Sequence, residues 1–375
     1  MNRFAEYFGY ETDLMIKAPG RTELGGNHTD HQHGNVLCAP VDLYITAYYS
    51  RNDLGQIRIV SEGHGEMKVD LQDTSVKEEE KGTSEAIIRG IADAFRKDGL
   101  PGFDAWMTSD VPAGSGLSSS AAFEILLGRI GCALTKVSKT GEELAILGQY
   151  VENTYFGKPC GLMDQMACAA DGVLAIDFED PSHPVCREVK FDFQKAGYAL
   201  CIIKCGAGHE NLTDEYAAIP EELGKLCGVF GKKVLREIPE EEFFSRIPEI
   251  REICGDRAVL RAMHVYADNS RVLRQVQSLQ DGDLESYLKL VNESGRSSWE
   301  LLQNVIPRNA ALHQEMALAL ALAEKALRGR GAVRVHGGGF AGTIQAYVPI
   351  EMMEEFRQQM EAVLGADSCI FVNIG

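Results

Sequence analysis

The sequence predicts an α+β protein with two domains. Its 375 residues and 45% hydrophobic content supply enough apolar material for two packed cores. The first half alternates strand-like and helix-like segments, whereas long helical segments dominate from about Asp256 to Arg328 before strand-like segments return. We place the domain boundary between residues 190 and 191, and the last few residues of the chain are candidates to return to the first domain.

The elements of the first half are predicted from composition and end signals. The segments "LYITAYYS" and "QIRIVSEG" are rich in β-branched and aromatic residues between polar or glycine boundaries, which is typical of strands. The segment "TSEAIIRGIADAFRKDG" predicts a helix that Thr83 or Ser84 caps and Gly99 ends. A second helix is predicted from about Gly141 to Tyr155.

The elements of the second half follow from the same signals. The segments "GVLAIDF" and "YALCIIKC" predict short buried strands, and "LHQEMALALALAEKALRG" predicts a long helix. A glycine-rich turn then leads into the predicted strand "TIQAYVP", and the helix "MMEEFRQQMEAVLG" and the strand "CIFVN" close the chain. No internal repeat or Pro-rich linker interrupts this order.

Composition excludes several classes of partner. The formal net charge of −18 opposes binding to nucleic acids and to anionic membrane surfaces. The ten cysteines form no C-x-x-C pair, which favours reduced thiols over a metal or disulfide framework. No apolar run approaches 18 residues, so we expect neither a signal peptide nor a membrane span, and the cytoplasm is the expected location. We expect a monomer or weak homo-oligomer that acts on small molecules.

The segment "DVPAGSGLSSSAAFEILLGRIG" predicts a phosphate-binding loop. Gly114 and Gly116 permit positive φ and a close backbone approach, and three serines stand at the start of an apolar helix whose first N–H groups have no helical partner. A turn that merely caps a helix is the alternative, and it accounts for Gly116 and one serine only. The chain contains no G-x-x-x-x-G-K-[ST] motif and none of the H-R-D or D-F-G motifs of protein kinases.

The same segment resembles the second signature of the GHMP kinases, P-x-G-x-G-L-S-S-S-A, from Pro112 to Ala121. The N-terminal segment "KAPGRTELGGNHTDHQHGNVL" is similar to the galactokinase signature, whose usual form is G-R-x-N-L-I-G-E-H-T-D-Y. The segment "VRVHGGGFAGTIQAYV" resembles the third GHMP signature, and "VENTYFGKPCGLMDQMACAADG" resembles the galactokinase P-C-G-x-M-D-Q region. The resemblance implies a ribosomal-protein-like N-terminal domain, a C-terminal α+β domain and an active site in the cleft between them.

The resemblance also implies a role for individual residues. Asp164 acts as the catalytic base or electrostatic orienter beside the sugar hydroxyl, and Arg21 keeps its carboxylate ionised; a structural ion pair is the alternative. Ser120 and Glu152 match the pair that holds Mg²⁺, an ion that needs few protein oxygens. The implied ATP-binding residues come from two loops: Gly114, Ser115, Gly116, Leu117, Ser118, Ser119, Ser120 and Gly338.

The implied sugar-binding residues are Asn27, His28, Asp30, Gly161 and Tyr216. A carboxylate such as Asp30 can accept hydrogen bonds from two adjacent hydroxyls, which makes it selective for sugar stereochemistry. The histidines of "HTDHQH" also raise the alternative of a metal site, but the ligands crowd one short turn with no group placed to complete a tetrahedron.

The chain departs from the galactokinase signature at two positions near the sugar. Asn27 stands in place of the usual glutamate, which the family associates with the exocyclic hydroxymethyl group, and His31 stands in place of tyrosine. Galacturonate kinases are relatives that also lack this glutamate and carry D-H-Q, as residues 30–32 do here. We therefore expect galactose as the first candidate substrate and galacturonate as the second. A galactose- and ATP-binding sensor without turnover and a non-catalytic nucleotide-binding module are the alternatives of other classes.

Overall fold

The protein forms two compact units in a computed structural model that describes residues 3–63, 65–112, 114–206, 212–340 and 342–374. The first unit comprises the described residues within 1–21, 40–113 and 117–171, and the second comprises those within 22–39, 114–116 and 172–375. The units are therefore grouped differently from the predicted division at residue 190, because two short segments of the N-terminal half belong to the second unit.

Within the described residues, the first half of the chain contains both strands and helices, but they do not alternate as the sequence predicts: four strands precede the second α-helix, and three α-helices later follow one another. The strands are β1 Met15–Gly25, β2 Asn35–Arg51, β3 Gln56–Ser61, β4 Glu66–Asp70, β5 Phe103–Ser109, β6 Leu174–Asp177, β7 Val185–Glu188, β8 Tyr198–Lys204, β9 Ala332–His336, β10 Thr343–Pro349 and β11 Cys369–Val372. The α-helices are α1 Arg3–Phe8, α2 Ser84–Ala94, α3 Ser119–Thr135, α4 Gly141–Val151, α5 Met163–Ala169, α6 Thr213–Val229, α7 Glu240–Ser245, α8 Ile247–Cys254, α9 Asp256–Gln280, α10 Leu284–Ser297, α11 Glu315–Leu327 and α12 Met353–Leu364.

The first unit is a sheet covered by helices. Strand β3 pairs antiparallel with β4 and parallel with β5, and β5 pairs antiparallel with residues 45–51 of β2. Helices α2 to α5 pack on one another. Local sequence fixes where these helices begin: the Thr83 hydroxyl accepts from the Ala86 N–H at the start of α2, and Thr140 and Glu143 form a reciprocal capping box at the start of α4.

The second unit is built around an antiparallel sheet in the order β11, β8, β10, β9. The apolar faces of β8 and β10 pack against α11 and α12, and a second core lies among α6, α8 and α9. Residues 35–38 of β2 pair with β6, which in turn pairs with β7. The last strand, β11, pairs with β8, so the chain end stays in the second unit and does not return to the first.

The predicted elements are present, with two differences of shape. The helix predicted to end at Gly99 is α-helical only over Ser84–Ala94, and Arg96–Asp98, directly before Gly99, form a 3₁₀ turn. The predicted helix from Gly141 to Tyr155 is α-helical only to Val151, and Glu152–Phe156 is a π-helical turn that ends at Gly157 with φ +81°. A π-turn holds one more residue per hydrogen bond than an α-turn, which side-chain periodicity does not reveal. Each of the ten cysteines is a free thiol.

Candidate active site

The loop before α3 adopts the backbone that its sequence predicts. Gly114 and Gly116 have φ values of +68° and +72°. A Cβ on Gly116 would lie 2.7 Å from the Thr343 hydroxyl and 2.9 Å from His336 Nδ1, so only glycine fits there. Gly114 is exposed and Ser115 is buried. Leu117 is also buried, and its carbonyl accepts a 3.0 Å hydrogen bond from the Arg21 N–H, which ties the loop to β1.

Asp164 is the best-connected predicted residue of the first unit. The Arg21 guanidinium donates through Nε and Nη2 to the two carboxylate oxygens, each at 2.7 Å, and the Ser118 hydroxyl donates to Oδ2. Burial alone would raise the pKa of Asp164, but the charge and hydrogen bonds of Arg21 and the bond from Ser118 hold that pKa below its usual value. Asp164 is therefore an ionised carboxylate that a hydroxyl already approaches.

Ser118, a predicted ATP-binding residue, directs its hydroxyl to Asp164. It precedes α3 with φ +52°, and its side chain makes no cap bond with that helix because the hydroxyl turns to Asp164. Ser119 and Ser120 begin α3, where the first N–H groups point out of the helix. These N–H groups and the positive end of the helix dipole are suited to an anion such as phosphate.

A cleft of about 810 Å³ in the first unit opens beside these two serines. Its wall combines Ser119 and Ser120 with apolar side chains, among them Ile45, Ile87, Met107, Phe123 and Phe156. The lining also contains Glu62, Glu66, Glu85 and further serines, so the wall is mixed and offers both apolar surface and hydrogen-bond acceptors to a bound small molecule. This pocket has no counterpart among the sequence predictions, because its wall comes from several separate segments of the chain.

Glu152, the predicted metal ligand, belongs to a buried polar cluster. Gln165 Nε2 donates to Glu152 Oε2 at 2.8 Å and to Glu124 Oε2 at 3.0 Å, and Lys158 Nζ lies 3.4 Å from Glu152 Oε1. Burial and the nearby charge of Glu152 raise the pKa of Glu124 to about 9, so Glu124 is a neutral acid at pH 7. Glu124 Oε1 and Gln165 Oε1 are buried and lack hydrogen-bond partners within the described part of the chain.

The predicted sugar residues lie in both units. Gly161, half-buried in the segment before α5, is in the first unit, whereas Asn27, His28, Asp30 and Tyr216 are in the second. Asp30 Oδ1 accepts from the His31 N–H at 2.9 Å. Among all described residues, no group of three or more His, Cys, Asp and Glu side chains is arranged to hold a metal ion.

Three of these side chains donate to consecutive carbonyls of one glycine loop. Asn27 Nδ2 donates to Gly337 O at 2.7 Å, His28 Nε2 to Gly338 O at 3.0 Å and the Tyr216 hydroxyl to Gly339 O at 2.8 Å. Since a carbonyl only accepts, His28 carries its proton on Nε2 and leaves Nδ1 as an acceptor. Burial and the neighbouring His31 lower the pKa of His28 to about 4, which keeps it neutral.

Sequence reasoning missed several residues that shape these sites. Glu124 carried a signal, since it is a lone acid in the apolar helix segment "AAFEILLGRIG". Gln165 directly follows Asp164, and Glu23 stands where the galactokinase signature has asparagine, so both lie inside motifs already singled out. Asn304 and Ser298, which bind Asn27, carried no signal because they are about 270 residues away along the chain.

The comparisons with known proteins agree with this geometry. Residues 86–172 match the GHMP kinases N terminal domain, and residues 2–51 match the galactokinase galactose-binding signature. A mevalonate kinase of Methanococcus jannaschii has a TM-score of 0.67 at 15% identity, over 96% of this chain and 98% of that one. The fold and the loop before α3 thus define a GHMP kinase.

Full-length relatives narrow the assignment. A galactokinase of Glaesserella parasuis is 31% identical over 365 residues, which is 95% of this chain and 90% of that protein. The crystal structure of Lactococcus lactis galactokinase complexed with galactose has a TM-score of 0.82 at 26% identity, over 100% of this chain and 96% of that chain. The chain therefore belongs to the galactokinase family. No helix in the described ranges is both long and apolar enough to cross a bilayer.

Proposed function

We propose that the protein transfers the γ-phosphoryl group of ATP to the anomeric hydroxyl of a galactose-type sugar. The observation that carries this proposal is the joint placement of Arg21, Asp164 and Ser118 beside the start of α3, in a chain of the galactokinase family. GHMP kinases use ATP as a substrate, and the exposed N–H groups at the start of α3 suit its phosphates.

Phosphoryl transfer requires little from the protein beyond positioning of the two substrates and stabilisation of the charge on the phosphates. The sugar oxygen bonds to the γ-phosphorus, the bond to the β-phosphate oxygen breaks, and ADP leaves while the hydroxyl proton passes to Asp164. The carboxylate is suited to this task because it is ionised and already accepts an O–H donor, Ser118. Arg21 holds the carboxylate plane through two parallel hydrogen bonds.

Mg²⁺ would be held by Glu152 and Ser120. The donor set fits the ion, because a buried carboxylate and a hydroxyl are oxygen ligands, and Gln165 fixes one carboxylate oxygen of Glu152. When bound, Mg²⁺ neutralises charge on the phosphates of the nucleotide. Lys158, 3.4 Å from Glu152, supplies a second positive charge from the chain itself.

Galactose is the first candidate substrate because full-length relatives are galactokinases, and galacturonate is the second because residues 30–32 carry the D-H-Q sequence that galacturonate kinases share. The test is ADP release with galactose, galacturonate, N-acetylgalactosamine and glucuronate in turn, with the product located by ³¹P NMR. A sugar 1-phosphate is the expected product. Turnover of mevalonate or homoserine with none of the sugars would refute the proposal, and binding of ATP and galactose without turnover would identify a sensor instead.

A further inference from the structure

Asn27 uses its whole hydrogen-bonding capacity within the second unit. Its amide nitrogen donates to Gly337 O and, at 3.4 Å, to Glu23 Oε1, while its amide oxygen accepts from Asn304 Nδ2 at 2.9 Å and from Ser298 Oγ at 3.2 Å. A side-chain amide donates twice and accepts twice, so these four bonds complete it. The residue is also 0% exposed. Asn27 therefore has the environment of a residue that positions its neighbours.

Glu23 is the charged partner of this amide. It is buried, and its carboxylate accepts from the Nη2 of Arg334, which is fully buried. Removing the carboxylate would take away the acceptor of the Arg334 Nη2 bond and leave Asp268 as the remaining acidic neighbour of this buried charge, which is destabilising. Placing a carboxylate at position 27 while Glu23 remains would set two negative groups side by side and turn an acceptor toward Gly337 O.

The galactokinase signature has the two groups the other way round. Where its usual form carries asparagine and, four residues later, glutamate, this chain carries Glu23 and Asn27. The pair thus keeps one carboxylate and one amide, and only their order differs. The difference from the signature at position 27 therefore has to be interpreted together with the difference at position 23.

We propose that Glu23 and Asn27 act as one coupled carboxylate–amide pair that positions the Gly337–Gly339 loop, and that Asn27 does not contact the sugar. The loop is the common element: the pair holds Gly337, while the donors of two other predicted sugar residues, His28 and Tyr216, hold Gly338 and Gly339. The expected effect of this pair on sugar binding rests on the proposed function, since it assumes that the Gly337–Gly339 loop serves the sugar site. The expected effect on stability does not depend on the proposed function.

The experiment is a double-mutant cycle of Glu23→Asn, Asn27→Glu and the exchanged double variant. We expect each single change to lower Tm by about 5 °C or more. The double variant should lose less than the sum of the two single losses, because the exchange separates the two carboxylates but still leaves Gly337 O without its amide donor. Additive losses in the double variant would overturn the pairing. Should the single variants fail to fold, a folded double variant is the same rescue, and an unfolded double variant overturns the proposal.

Kinetics then separate a positioning role from sugar contact. We expect the single changes, or Asn27→Ala where they do not fold, to raise the KM for the sugar about tenfold with kcat changed less than about threefold, since a misplaced loop weakens binding by about one hydrogen bond. The exchanged variant also lacks the donor to Gly337 O, so its KM should stay raised, while the ratio of kcat/KM for galactose and galacturonate should remain within about threefold of the original value. A shift of that ratio by more than about tenfold would show that residue 27 reads the sugar, and an unchanged KM in the single variants would show a purely structural role.

Asn292 provides the matched control. Its amide donates to Gly331 O at 3.2 Å and accepts from the Val333 N–H at 3.0 Å, so it anchors the opposite end of β9 with no bond to the glycine loop. Asn292→Ala should lower Tm and leave the sugar KM within about twofold of the original value. If no sugar is turned over but the cycle still shows rescue, the proposed function fails while the pairing stands. If a sugar is turned over but the losses are additive, the pairing fails while the proposed function stands.

Discussion

Asp164 in the first unit and Asn27 in the second both occupy signature positions, yet their surroundings differ in kind. Asp164 is a charged group that meets Arg21 and Ser118 and keeps a third of its side chain exposed. Asn27 is uncharged, completely buried and bonded to its own chain at every polar atom of its side chain. The difference supports the roles that we propose: Asp164 keeps exposed surface for a further partner, whereas Asn27 has no hydrogen-bonding capacity left.

The largest effect should come from Asp164→Asn. This change removes the acceptor of the hydroxyl proton while leaving the start of α3 untouched, so we expect kcat to fall by about 10²–10⁴-fold with ATP affinity retained. Steady-state kinetics and calorimetric titration with ATP measure the two quantities. Asp180→Asn, at an exposed aspartate bonded to Ser182, is the control that should change neither. A near-normal kcat would show that Asp164, like Asn27, positions its neighbours and does not take part in the reaction.

Arg21→Lys should have the next largest effect. Lysine keeps the charge but cannot make two parallel bonds, so we expect kcat to fall by about tenfold or more. Because Arg21 holds the pKa of Asp164 down, the acid limb of the pH profile should move to higher pH. Arg58→Lys is the control, since Arg58 binds Asp104 with the same two-bond geometry in the same unit. An unmoved acid limb would contradict the role given to Arg21.

Glu124→Gln tests a buried acid of the first unit. The folded chain holds the Glu124 proton up to a pKa of about 9, whereas the unfolded chain releases it near 4.5, so stability should fall as pH rises through that window. The slope is at most about 1.4 kcal/mol per pH unit. The variant should lose this slope in metal-free unfolding experiments between pH 6 and 9, whereas Glu143→Gln, in the exposed capping box of α4, should retain it.

His28→Gln should have the smallest effect. Because the folded pKa of His28 is lowered to about 4 from an ordinary 6.5, its contribution to stability is complete above pH 6.5 and is lost as pH falls toward 4. Glutamine keeps a donor for Gly338 O without titrating, so the acid-side loss in unfolding experiments should shrink. The exposed His183→Gln serves as the control. An identical acid limb in both variants would show that His28 is not buried as a neutral ring.

Most of the fold could be predicted from the sequence because its signals are local. A short continuous apolar run places β8 within "YALCIIKC", and Thr83 places the start of α2. The π-turn after Val151 could not be predicted, since hydrogen-bond spacing leaves no trace in side-chain periodicity. The grouping of residues 22–39 with the second unit is also invisible locally, because it depends on contacts made hundreds of residues away.

The candidate site shows the same contrast between features that local motifs predict and features that depend on distant segments. The motifs predicted that Arg21 would lie beside Asp164, and the structure places them in contact. They could not show that Asn27 would be enclosed, because Gly337 and Asn304 reach it from distant segments. A motif specifies which residue types a family retains at a position, whereas the environment that decides their use is assembled by tertiary structure.

The two π-helical turns end differently, and this matters for engineering. The turn Glu152–Phe156 ends at Gly157, whereas Ser298–Leu302, which supplies the Ser298 hydroxyl to Asn27, ends at Gln303 with φ +58°. A left-handed backbone costs a residue with a β-carbon about 1 kcal/mol that glycine does not incur. A library randomised at both positions and screened for heat resistance should consequently enrich glycine or asparagine at 303 while leaving 157 unchanged.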